Sequence, residues 1–281
     1  MTRAAIDDGS SMTARAKEAV PGLRRPAVAG HPRPPGVLLL HGMGGGPGDW
    51  DSLALHLPAH LELWDVKMPW SFTGDPSWAA EGRPVTQFVS APIGHLRHTL
   101  GRAPDVVIAH SFAANVVLEL LAEANPAPAA LAVLISPFYR TDDSMEWASI
   151  IPALTECYSK LGDEIRARRR SRMSDELRQA ILRRAVELMG DSAALRFYET
   201  YQRTPQLKLE SVTTPVLLIA GGDDVASVVR GTPALGGRIP RASLAILDSC
   251  GHFPMIERAR EVAGLIETFA SRATSDTEAP Q

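Results

Sequence analysis

Between residues 36 and 270 the chain alternates short, wholly apolar runs with longer segments whose apolar positions recur every three to four residues. Gly36–Leu40 (GVLLL), 105–109 (DVVIA), 130–135 (ALAVLI) and 215–220 (PVLLIA) are strand-length runs flanked by Gly, Pro or Asp. Runs without polar alternation suit strands covered on both faces, as in a parallel sheet. Residues 61–66 and 243–247 read as two more strands. Helical periodicity fills the gaps: WDSLALHL, capped by Asp49 and closed near Pro58, then 85–100, 112–124 and 254–270. The segment 112–124 is apolar on nearly every side, which predicts a helix buried against the sheet. Strands alternating with helices predict an α/β fold with a doubly wound, mostly parallel sheet. No hairpin signal precedes residue 36, so six strands are expected.

The alternation stops at residues 137–212, which read as helix only, including the run SDELRQAILRRAVEL. A helical block between two strands of such a sheet predicts an inserted lid over the C-terminal edge, where open α/β sheets place their sites. The expected organisation is therefore a disordered or loosely packed leader at 1–35, a core at 36–136 and 213–273, a lid at 137–212 and a disordered tail at 274–281. The leader mixes Pro, Gly, Arg and Ser without period and ends in HPRPPG.

Composition narrows the function classes. Hydrophobic residues make up 45% of the 281 and charged residues 22%, enough for a sizeable core. A net charge of −3 gives no electrostatic footprint for nucleic acid or an anionic membrane. No apolar run is long enough to span a bilayer, and the N-terminus lacks the apolar stretch of a secretory signal. Two cysteines, Cys157 and Cys250, form neither a CxxC pair nor a metal-spaced cluster. Their sparseness fits a reducing compartment, and a cytoplasmic location is expected. His56 with His60 and His95 with His98 have helical ligand spacing. Pro58 breaks the first pair and no carboxylate or cysteine joins either, so no metal and no cofactor are expected.

The chemistry concentrates in four short motifs. Ala109-His110-Ser111-Phe112-Ala113 lies between a buried strand and a buried helix. A serine on so tight a turn is pushed out of the sheet edge with its hydroxyl at a helix N-terminus. The small residues two before and two after let strand and helix backbones approach. His41-Gly42-Met43-Gly44-Gly45-Gly46 follows the first strand, where a glycine-rich turn can aim a backbone N–H at that serine. Its spacing fits neither GxxxxGK[ST] nor GxGxxG, which argues against a phosphate loop. Gly221-Gly222-Asp223-Asp224 follows a late strand and offers two candidate carboxylates. Of the eight histidines, only His252, in Cys250-Gly251-His252-Phe253-Pro254, sits between a strand end and the last helix with glycine before it. His252 is the candidate general base.

The order of these motifs resembles the α/β-hydrolase superfamily over residues 36 to 270. The resemblance implies Ser111 as nucleophile, His252 as base and, from the pattern Gly-x-x-Asp, Asp224 as the orienting acid with Asp223 the alternative. It implies an oxyanion hole from the N–H groups of Met43 and Phe112. The two elbow glycines usual in the family are alanines here, which keeps the small size but gives up conformational freedom. Trp50, Trp70, Phe72, Trp147 and Tyr158 are the candidate substrate-binding residues, lying near the oxyanion loop, in the insert after the second strand and in the lid. The expected activity is hydrolysis of an ester or thioester of a small apolar acyl substrate through an acyl-enzyme. That substrate is free or carried on coenzyme A or a carrier protein. Acyl transfer or cyclisation by the same triad, carbon–carbon bond hydrolysis, and a non-hydrolytic use of the fold are the alternatives.

Overall fold

The computed structural model describes residues 19–28, 32–123, 127–141, 192–224 and 231–278, with side chains as far as 273. Its centre is a seven-stranded sheet. The strands are β1 (Gly22–Arg25), β2 (Gly36–Leu40), β3 (Glu62–Val66), β4 (Val106–His110), β5 (Leu131–Ile135), β6 (Val216–Gly221) and β7 (Ala242–Leu247). They lie in the order β1-β3-β2-β4-β5-β6-β7. Only β1 runs antiparallel, against β3; the other pairs are parallel and in continuous register.

Successive residues of a strand point to opposite faces, so each apolar run feeds two cores. Leu38, Leu40, Val107, Ala109, Leu134 and Leu218 face one side, against α2 (Val85–Leu100) and α3 (Phe112–Glu123). Val37, Leu39, Ile108, Val133, Ile135 and Ile219 face the other. There they meet α1 (Asp51–Ala54) and the helix pair α6 (Pro254–Glu257) and α7 (Ala259–Glu278). The α7 face repeats at Ala259, Val262, Ala263, Ile266, Phe269 and Ala273, the three-to-four spacing of one helical stripe. Residues 192–203 form α4 and Gly231–Arg238 form α5.

Two expectations are corrected. The sheet has seven strands, because β1 forms before residue 36 and extends the sheet by pairing with β3. The helix expected after Asp49 is broken up: a 3₁₀ turn, Pro47–Trp50, precedes a single turn of α-helix at Asp51–Ala54. Asp49 caps from inside that turn, its carboxylate accepting from the Gly46 N–H at 3.1 Å. Among the described residues no helix is long and apolar enough to cross a membrane.

Candidate active site

β4 ends at His110 and α3 begins at Phe112, leaving Ser111 alone to turn the chain at φ +51°. An L-residue in this left-handed region costs on the order of 1–3 kcal/mol, and such strain concentrates at functional turns. The turn is held from both sides. Ser111 N–H donates to the Ile135 carbonyl of β5 at 2.8 Å, and Asn115 N–H donates to the Ser111 carbonyl at 3.1 Å, starting the helix. Ala109 and Ala113 are fully buried, so any larger residue there would wedge strand and helix apart.

The glycine-rich turn after β2 lies against this elbow. A methyl group on Gly42 would stand 3.1 Å from the Ser111 Cβ and 2.9 Å from the His110 Nδ1. His41 braces the turn from behind. Its Nδ1–H donates to the Gly42 carbonyl at 2.9 Å, and its Nε2 accepts the Met68 N–H at 3.0 Å. That pattern requires the neutral imidazole, and burial pushes its pKa down to about 4, the nearby Lys67 adding to the effect and the Gly42 carbonyl opposing it. The insert after β3 laces the turn in place. The Trp70 indole donates to the His41 carbonyl at 3.0 Å, Gly44 N–H to the Trp70 carbonyl at 2.9 Å and Phe72 N–H to the Gly45 carbonyl at 3.3 Å.

On the other side of the elbow, His252 Nδ1 lies 3.0 and 2.9 Å from the two carboxylate oxygens of Asp224. A carboxylate can only accept, so the Nδ1 that faces Asp224 carries a proton. Asp224 is fully buried and His252 nearly so, whereas Asp223 is exposed. The loops that carry the pair are stitched together: Gly222 N–H donates to the Leu247 carbonyl at 2.8 Å and Asp223 N–H to the Cys250 carbonyl at 2.9 Å. Gly221 passes so close to the Cys250 and Gly251 carbonyls that a β-carbon there would collide with them.

The profile of the alpha/beta hydrolase family matches residues 37–265, a span that holds all four motifs. The chain belongs to this family. It is therefore a hydrolase. It is 28% identical over 268 residues to the pimeloyl-[acyl-carrier protein] methyl ester esterase of Aromatoleum aromaticum, covering 83% of this chain and 97% of that one. In three dimensions it is similar to a thermophilic esterase from Thermogutta terrifontis, with TM-score 0.64, 18% identity and coverage of 93% and 96% of the two chains. It is similar too to the esterase RhEst1 from Rhodococcus sp. ECU1013, with TM-score 0.62, 18% identity and coverage of 91% and 98%.

In this hydrolase the sequence-predicted residues fall into distinct places. Asp224 and His252 meet directly. Ser111 adjoins His110, whose ring centroid is 4.8 Å from that of His252. Phe112 opens α3, where helical geometry itself offers the N–H no carbonyl partner, and Met43 packs half-buried against the same core cluster. Trp50 is corrected: it is buried on the opposite face of the sheet with Leu53, Leu57 and Leu63, as core rather than pocket wall. Trp70 is buried as well, edge-on to Phe112 at 5.0 Å and to Trp78 at 5.5 Å, and braces the glycine-rich turn from within the core. Phe72 is half-buried beside that turn. Trp147 and Tyr158 lie outside the described residues.

Three side chains were missed, Asn115, Phe197 and Glu257, and His110 of the Ser111 motif joins them in holding the site. Asn115 bonds both the N–H (2.9 Å) and the carbonyl (2.6 Å) of Phe138, tying α3 to the chain leaving β5. Phe197 on α4 stacks over Phe112 at 6.1 Å and contacts Phe138 at 4.5 Å. His110 and Glu257 both bond the backbone around His252. The only available signals were an Asn one turn after Ser111 in a helix expected to be buried and a carboxylate in the first turn of a helix. Among the described residues no three His, Cys, Asp or Glu side chains group as metal ligands would.

Proposed function

We propose that this hydrolase cleaves a carboxylic ester or thioester of a small, apolar acyl group through an acyl-enzyme on Ser111. The observation that carries the proposal is the buried Asp224–His252 pair beside a serine held at φ +51° at the mouth of α3. The Ser111 Oγ attacks the carbonyl carbon while the His252 Nε2 takes its proton, and the two electrons of the carbonyl π bond move to oxygen. The Met43 and Phe112 N–H groups stabilise that oxyanion. Collapse expels the alcohol or thiol, which leaves with the proton from His252. Water then repeats the sequence, releasing the acid and restoring Ser111. Asp224 keeps the imidazole in the tautomer and orientation the transfer needs.

Two features support an apolar acyl group. Phe112 adjoins the nucleophile, and Phe197 and Phe138 extend an aromatic surface from it toward α4. The Aromatoleum relative is named for a methyl ester on a carrier-bound acyl chain, which supports an ester whose acyl part is the recognised moiety. The test is kcat/KM across p-nitrophenyl acetate, hexanoate and phenylacetate, the corresponding methyl esters and acyl thioesters. Preference for the larger acyl groups with hydrolytic products is expected. Product that requires an added alcohol or amine acceptor would replace hydrolysis by acyl transfer.

A further inference from the structure

The backbone around His252 is held from two directions. Glu257 accepts from the Gly251 N–H through Oε2 at 2.7 Å and from the Phe253 N–H through Oε1 at 3.2 Å. Its own N–H donates to the Phe253 carbonyl at 3.0 Å, so side chain and main chain of one residue close on both sides of the base. The His252 carbonyl accepts from the His110 Nε2–H at 2.8 Å. The His110 ring lies against the same segment, its centroid 4.8 Å from that of His252 and 4.9 Å from that of Phe253. His110 immediately precedes Ser111, so this bond joins the nucleophile turn to a loop 142 residues away in sequence.

The segment 248–253 lies beyond the end of β7 and has no sheet ladder to hold it. An imidazole is placed by its Cα position and two torsions. Asp224 fixes the torsions; something else must fix the Cα. We propose that Glu257 and His110 are positioning residues for His252, a clamp that sets the base against the Ser111 turn so that the two move as one body. The inference rests on the reading of Ser111 and His252 as nucleophile and base. Glu257 anchors the loop to α6, and His110 anchors it to the end of β4. Removing either lets the imidazole drift by a fraction of an ångström, which proton transfer feels and substrate binding does not.

The experiment uses the whole chain. A fluorophosphonate probe with peptide mapping first asks whether wild-type Ser111 is labelled. Stopped-flow acylation by p-nitrophenyl acetate then gives the acylation rate constant and KM for Glu257→Ala, Glu257→Gln, His110→Leu and His110→Gln. The clamp predicts an acylation rate about 10- to 100-fold lower for Glu257→Ala and for His110→Leu, with KM within about threefold of wild type. Glutamine retains one acceptor at 257 and a donor near the Nε2 position at 110, so both glutamine variants should regain most of the rate. If Glu257→Ala or His110→Leu does not fold, a partial loss in the glutamine variant, again in rate and not in KM, carries the same prediction. Wild-type labelling together with wild-type acylation rates in folded variants overturns the clamp alone. Losses that fall on KM, or that glutamine does not relieve, overturn it too, by assigning these residues to general stability. Absence of labelling in the wild type overturns the nucleophile reading and the clamp with it.

Discussion

Replacing His41 with glutamine should flatten the fall in stability of this hydrolase between pH 6.5 and pH 4. The imidazole is fully buried, and desolvation holds its pKa at about 4 against an ordinary 6.5. As the pH drops below 6.5 the unfolded chain binds a proton at this position that the folded chain refuses. Unfolding is therefore favoured progressively until the folded imidazole itself protonates near pH 4. The stability contributed by His41 is complete above pH 6.5 and lost as the pH falls toward 4. At 1.36 kcal/mol per unit, the shift amounts to about 3 kcal/mol over that window. Glutamine can still accept the Met68 N–H but cannot titrate, so it should cost about 1 kcal/mol at pH 7.5 for the imperfect replacement. The assay is urea unfolding of both proteins at half-unit steps from pH 7.5 to 4. Carboxylates titrate alike in the two, so their contributions cancel in the difference. The gap between the two stabilities should shrink and reverse as the pH falls. Parallel curves would refute the argument, since they would mean that His41 takes up its proton equally in the folded and unfolded chains.

Three further outcomes follow from the geometry. Gly221→Ala should lower both the melting temperature and kcat, because its β-carbon would push on the Cys250 and Gly251 carbonyls and separate Asp224 from His252; unchanged kcat in the folded variant would contradict this. Asp224→Asn should reduce kcat by roughly 10⁴, as loss of the orienting carboxylate does in other triads, while Asp223→Asn, on an exposed side chain, should have little effect; matched kinetics giving the reverse order would move the acid. Arg203→Ala should destabilise by about 1–2 kcal/mol, because it leaves the buried Glu119 carboxylate without the partner that reaches it from α4. Adding Glu119→Gln should restore part of that loss in thermal denaturation, and a purely additive double variant would show that the pair is not coupled.

Strands β2, β5 and β6 were legible because burial on both faces leaves no polar side chain in them: GVLLL and PVLLIA can be little else. The first strand, Gly-Leu-Arg-Arg, carries no such signal. Arg24 is held by Asp65, Asp51 and the Pro47 carbonyl, and Arg25 by the carbonyls of Ala54, Leu57 and Pro58. Guanidinium hydrogen bonds at a sheet edge have no period, so a hydrophobic pattern cannot reveal them. The turn at Ser111 was legible because its constraints are local: small residues two positions either side and a strand-to-helix switch. Trp50 was misplaced for the opposite reason. An aromatic in a loop announces that it will be buried, but the side of the sheet it reaches is set by the three-dimensional path of that loop. Glu257 reads in sequence as an ordinary acidic residue of a first helical turn; only the fold brings both N–H groups around His252 to its carboxylate.

The central claim is that Ser111 carries the acyl group. Rapid quenching of the enzyme mixed with p-nitrophenyl hexanoate, followed by intact-mass and peptide analysis, tests it directly. The account predicts one hexanoyl adduct per chain on the peptide containing Ser111, formed in step with a burst of p-nitrophenol. Both adduct and burst should be absent from Ser111→Ala, which should still turn over roughly 10³-fold above water through the oxyanion hole and binding alone. An adduct on another residue, or near-wild-type hydrolysis by Ser111→Ala, would contradict it.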